Sequence, residues 1–218
     1  MFGMNQAVGM MNAGSGPPIA VNTISLLHFN GSNGGTSFPD ANSLVTWTPT
    51  NATTSTTQST VDATSLSIGT TNSRIVSGSN VTMGSGDWTM EFFIYIPSYA
   101  HGVPPITMGS DFQLFFSSIM YIVYNTEAVE VDFASASWST ATWFHVALVK
   151  TGTKTFKLYL NGVKSGSTMT GGSDYVPQTT ACTIGTNGDA FYMDEFRLSN
   201  IARYSTNFTP TTVPFVLD

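Results

Sequence analysis

In residues 86–96, GDWTMEFFIYI, large apolar side chains recur at every second position. Trp88, Met90, Phe92, Ile94 and Ile96 share one face, and Thr89, Glu91, Phe93 and Tyr95 share the other. A period of two is the repeat of a β-strand; a helix would scatter these side chains around its circumference. The alternation returns at Phe112, Leu114 and Phe116, at Met120, Ile122 and Tyr124, at Val129, Val131 and Phe133, and at Phe156, Leu158 and Leu160. The last run ends in Asn161-Gly162, the dipeptide of two-residue hairpins. No convincing helix of ten residues appears. Many short strands with turn chemistry between them predict an all-β, two-sheet antiparallel sandwich.

A chain of 218 residues suits one such domain better than two. Only 9% of the residues are charged, against roughly 25% in an average globular protein. With 41% hydrophobic and 12% aromatic residues, the core is nonetheless well supplied, so the surface is polar through hydroxyls and amides. The net charge is −6, the first basic residue is Arg74, and Lys and Arg never cluster. Nucleic acid binding needs several cations on one face, so it is set aside, and anionic membrane surfaces with it. No apolar run approaches the roughly 20 residues that span a bilayer. Cys182 stands alone, so no intrachain disulfide forms. Residues 1–20, MFGMNQAVGMMNAGSGPPIA, hold no charge, no periodicity and no continuous apolar block. They do not read as a signal peptide. They read either as a disordered tail or as an extended arm whose methionines suit an adaptable apolar contact. Residues 46–60, TWTPTNATTSTTQST, read as a loop with a weak strand.

Four stretches resemble laminin-G-like (concanavalin-A-like) jelly-roll domains, in the expected order. ISLLHFNGSNGGTSFPD (24–40) resembles the opening strand and its loop, and GDWTMEFFIYI (86–96) the central strand. WFHVALVKTGTKTFKLYLNGVKSG (143–166) resembles the family's hairpin, and FYMDEFRLSNIARYSTNFTPTTVPF (191–215) its last strand and closing tail. The Ala-Arg-Tyr…Phe-Thr-Pro form of that tail is most similar to domains of bacteriophage structural proteins. The resemblance implies a jelly roll over residues 21–218 behind the 1–20 arm. It also implies a non-catalytic virion protein, made in the host cytoplasm, decorating the head or forming part of the tail. Expected partners are other virion proteins met through the arm, and further copies of the chain. The alternative is a carbohydrate-binding receptor-recognition module; a glycoside hydrolase ranks last.

Related jelly rolls often hold a structural calcium between an Asp of the last strand and the loop after the first. Here the resemblance points to Asp194 and Asp40 as calcium ligands. Simple alternation puts Asp194 on the face of Phe196 and Leu198, where a carboxylate must be paired, capped by backbone N–H groups or metal-bound. Glu195 and Arg197 read as a same-face pair. Laminarinase-type glycosidases carry Glu-x-Asp-x-x-Glu on one strand. Glu130 and Asp132 match its first half, but Ala134 and Ser135 follow, so a retaining pair is incomplete. His28, His101 and His145 lack companions at metal-ligand spacing and read as structural. Phe93, Tyr95, Tyr121 and Tyr159 are candidates for sugar stacking or for packing.

Overall fold

The computed structural model describes residues 22–69, 71–78, 81–98, 105–109, 112–116, 120–125, 129–133, 138–175, 180–185 and 188–218. The expected arm, residues 1–20, and His101 lie outside them. The described residues form fifteen strands and no helix. Sheet A runs β13 (Val163–Thr170), β12 (Thr155–Leu160), β11 (Trp143–Thr151), β6 (Trp88–Tyr95), β15 (Phe191–Ser199), β4 (Ser65–Ile68) and β3 (Thr53–Ser55), with β1 (Thr23–Leu27) also paired to β15. Sheet B runs β10 (Val129–Phe133), β9 (Met120–Tyr124), β8 (Phe112–Phe116), β7 (Ile106–Met108), β14 (Cys182–Ile184), β5 (Arg74–Ser77) and β2 (Trp47–Thr50). The expected two-sheet jelly-roll sandwich is what forms. The Thr-rich stretch supplies β2 and β3, two short strands joined by a turn at Asn51.

The alternating residues meet between the sheets. Trp88, fully buried, sits edge-to-face with Phe112, Phe156 and Tyr175 at centroid distances of 5.8, 6.0 and 6.0 Å. Each such side chain withdrawn from water stabilises the fold by about 1.5–3 kcal/mol. Lys150 shares the inward parity of Val146 and Leu148 and is likewise fully buried. Its Nζ donates to the carbonyls of Ser85, Gly86 and Gly152 at 2.6, 2.7 and 2.5 Å.

The break in alternation that matters for the site lies in β15. Asp194 pairs with Phe93, but Arg197 pairs with Glu91, so two residues of β15 face Phe92 alone. Glu195 is the extra residue, at φ 53°. This bulge resets the parity. Met193, Phe196 and Leu198 enter the core, whereas Asp194 and Arg197 turn outward. Asp194 therefore does not share a face with Phe196 and Leu198.

Residues 200–218 fold back over the outer face of sheet A. Ala202, Tyr204 and Phe208 cover Ala147, Val149 and Tyr159, while Phe215 covers Leu26 and Phe93. The β12–β13 turn shapes the landing place. Asn161 and Gly162 have φ 48° and 77°, and a Cβ on Gly162 would lie 1.9 Å from the Phe208 carbonyl oxygen. Glycine is required there both for the turn and for the tail's approach.

Candidate functional site

The residues that carry the family resemblance converge on one buried carboxylate. Glu91 Oε1 accepts from Arg197 Nε at 2.9 Å and lies 2.7 Å from Arg197 Nη2. Glu91 Oε2 accepts from the Tyr204 hydroxyl at 2.7 Å. Arg203 Nε stands 3.5 Å from Oε1 and His145 Nε2 stands 3.5 Å from Oε2. Burial alone would push the Glu91 carboxyl up; His145, Arg197 and Tyr204 outweigh it and hold the group below its usual range. Arg197 also lies 4.3 Å over the Phe215 ring. His145 is boxed by Phe93, Phe208 and Phe215 at 4.9, 5.5 and 6.1 Å. With every group on the tail or beneath it, this network locks the tail. Phe93 and Tyr159 are accordingly packing residues.

Asp40 and Asp194, the expected calcium ligands, hold different loops. Asp40 Oδ1 accepts from the Ser25 hydroxyl at 2.9 Å and from Leu26 N–H at 2.7 Å. Its Oδ2 accepts from Leu44 and Val45 N–H at 3.0 and 3.2 Å. Both oxygens accept from donors, so Asp40 clamps the loop after β1. Asp194 Oδ2 accepts from Thr60 and Val61 N–H at 3.3 and 3.1 Å, while its Oδ1 is buried without a hydrogen-bond partner. Burial first, and the charges of Glu195 and Asp62 after it, push the Asp194 carboxyl up to about 6 against the two N–H bonds. The pair shares no hydrogen-bond partner. No group of three metal-ligating side chains occurs among the described residues. Glu195 does not pair with Arg197; it binds His28 Nδ1 at 2.8 Å and accepts the Phe215 N–H at 2.7 Å.

The outer face of sheet B is differently made. Its outward residues include Thr107, Gln113, Phe115, Tyr121, Glu130, Asp132 and Thr183, and no apolar cluster of the described residues covers them. Phe115 and Tyr121 are direct cross-strand partners, both partly exposed, and their rings stack at 4.5 Å and 3°. Asp132 is the next partner in that row, and Glu130, Val123, Gln113, Thr107 and Thr183 form the neighbouring row. Slight desolvation, then the Asp132 charge and a hydrogen bond with it, raise the Glu130 carboxyl above its usual range. Phe115 escaped sequence reading. The available signal was an aromatic at the polar parity of two successive strands.

A profile of the concanavalin A-like lectin/glucanases superfamily matches residues 69–207. No curated protein matches the sequence. Among solved structures, the binding domain of Paraclostridial Mosquitocidal Protein 1 superposes with a TM-score of 0.67 at 13% identity, over 86% of this chain and 51% of that one. The botulinum neurotoxin serotype D binding domain gives 0.65 at 15% identity, over 84% and 49%. The serotype D ligand binding domain in complex with N-acetylneuraminic acid gives 0.59 at 14% identity, over 84% and 48%. The chain thus spans about half the length of these structures, and the likeness is one of fold. With the profile covering well over half of its residues, the chain belongs to the concanavalin A-like lectin/glucanases superfamily.

Proposed function

We propose that the chain is a non-catalytic, lectin-like module that binds glycan on the outer face of sheet B. The observation that carries this reading is the stacked, partly exposed Phe115–Tyr121 pair on a face that no apolar cluster of the described residues covers, beside the amide of Gln113 and the carboxylates of Glu130 and Asp132. Aromatic rings give a sugar an apolar contact, and the polar groups fix its hydroxyls. Two carboxylates on this face disfavour acidic sugars and suit neutral ones. They do not suit hydrolysis. Glycosidase carboxyl groups stand about 5–5.5 or 6.5–9.5 Å apart across the scissile bond. Glu130 and Asp132 stand two residues apart on one strand, and the second glutamate of the Glu-x-Asp-x-x-Glu pattern is missing from the sequence. The fold neighbours named as receptor- or ligand-binding domains support a binding role at the level of fold.

A glycan array probed with the whole chain and with Tyr121→Ala tests the reading. Binding of neutral glycans that disappears in the variant is the expected outcome. An array with no binding, or one unchanged by Tyr121→Ala, would refute it.

A second reading, a virion component anchored through residues 1–20, has one supporting feature. Asn22 N–H bonds the Asp218 carbonyl at 2.9 Å, so the chain enters the fold beside the last residues, of which Val216 and Leu217 are 70% and 38% exposed. Deleting residues 1–20 is expected to abolish subunit association under this reading and to leave it unchanged under the first.

A further inference from the structure

Beyond Phe215, a strip of aromatic side chains on sheet A stays partly exposed among the described residues. Trp143, Tyr95 and Tyr192 are direct cross-strand neighbours on β11, β6 and β15, and all three are partly exposed. Phe215 stacks on Phe93, one outward position earlier on β6. The Tyr95 ring lies 5.7 Å from Trp143 at 51° and 6.1 Å from Tyr192 at 71°. Rings so inclined make no flat platform for a pyranose. They make the walls of a corner, and each ring face is electronegative.

Carboxylates outnumber cations beside this corner. Asp194 follows Tyr192 by two residues on the same face and lies diagonally across from Tyr95. It is 0% exposed, and its Oδ1 has no hydrogen-bond partner. Asp62 and Glu195 add negative potential at Asp194. The cation of the same strand, Arg197, is committed to Glu91, and His28 is committed to Glu195.

We infer that this corner binds a quaternary or methylated ammonium group, with Tyr95, Tyr192 and Trp143 facing the cation and Asp194 balancing its charge. Such a cation holds its charge without needing N–H acceptors, and aromatic walls are its ordinary receptor. A calcium ion would need six to eight oxygens, whereas Asp194, the carboxylate beside this corner, is buried and has one oxygen without a hydrogen-bond partner. The site lies on the sheet opposite the glycan face and stands or falls independently of it.

Isothermal titration of the full chain with choline chloride tests the inference, with uncharged 3,3-dimethylbutan-1-ol as the isosteric control and calcium chloride as a third titrant. Saturable choline binding of roughly millimolar Kd is expected from a few ring contacts and one charge. The neutral isostere should bind at least about tenfold more weakly. Tyr95→Leu, which keeps apolar volume and removes the ring, should cost about the same factor. Asp194→Asn should weaken choline and not the isostere. Tyr121→Ala, on the other sheet, should change nothing. Equal affinity for choline and its isostere, no saturation by about 100 mM choline, or binding of calcium alone would overturn the inference. If Asp194→Asn does not fold, Tyr95→Leu and the isostere decide.

Discussion

Glu91→Gln removes one charge from beneath the tail while keeping the side chain's volume. Glu91 is 0% exposed and Arg197 7% exposed, so the variant leaves a guanidinium desolvated with no counter-ion. Breaking a buried pair from one side costs about 3–5 kcal/mol, more than the pair's net worth, because the surviving charge is stranded. At about 2–4 °C per kcal/mol for a chain of this size, Tm should fall by roughly 6–20 °C. The loss should appear first in the tail, because Tyr204 and Arg203 also lean on this carboxylate. Hydrogen exchange at 203–216 is expected to accelerate before the strands respond. The double variant Glu91→Leu/Arg197→Met strands no charge and should recover much of the loss. The pH dependence has a definite sign. The folded carboxyl lies below its ordinary 4.5, so its stabilisation is present above that pH and is lost as pH falls through the folded value. The deficit of Glu91→Gln should therefore shrink on acidification below pH 4.5. A Tm change under about 2 °C, or a double variant no more stable than the single, would refute the claim that this network holds the tail.

Asp194 carries the opposite sign. Its folded pKa, about 6 against 3.8, makes its contribution largest below pH 3.8 and loses it as pH rises through about 6. Asp194→Asn should flatten that slope and raise Tm at pH 8, whereas a bound calcium would make it the less stable protein in millimolar calcium; melting curves with calcium and with EGTA distinguish the two. Lys150→Met leaves three carbonyls unpaired and should cost about 1–3 kcal/mol or more in denaturant unfolding, despite being more apolar. Purified protein incubated with β-glucans should release no reducing sugar; release that vanishes in Glu130→Gln would disprove the non-catalytic reading.

Strands were legible wherever alternation was unbroken. The 86–96 pattern placed β6, and Asn161-Gly162 placed the β12–β13 turn, because period and turn chemistry are local properties. The bulge in β15 was not legible, since Glu195 is an unusual residue at positive φ and nothing local marks the insertion. That single residue misplaced Asp194 and suggested Glu195 as the partner of Arg197. The true partner, Glu91, lies 106 residues away and meets Arg197 only because β6 and β15 are neighbours in sheet A. Lys150 shows the converse limit: parity points it inward, but the three carbonyls that accept its protons come from turns whose convergence no pattern encodes.

The signature that assigns the chain to its family is occupied with closing the fold. Glu91, His145, Arg197, Arg203 and Tyr204 lie in the resembling segments, and all meet beneath the tail. A buried network of this kind fixes the path of residues 200–218 and can do so whatever ligand the domain serves. Membership in the superfamily therefore says little about what is bound. Under the readings proposed above, specificity would come from side chains away from that network: Phe115, Tyr121 and their polar neighbours on sheet B, outside the resembling segments, and the corner of Trp143, Tyr95 and Tyr192 on sheet A, within those segments but not part of the Glu91 network. A fold shared at 11–15% identity with toxin binding domains is consistent with this division, since one tail-closed sandwich can present unrelated surfaces. Substitutions under the tail should then move stability with little effect on ligand choice, and substitutions at the partly exposed aromatic groups of the two sheets should move ligand choice with little effect on stability.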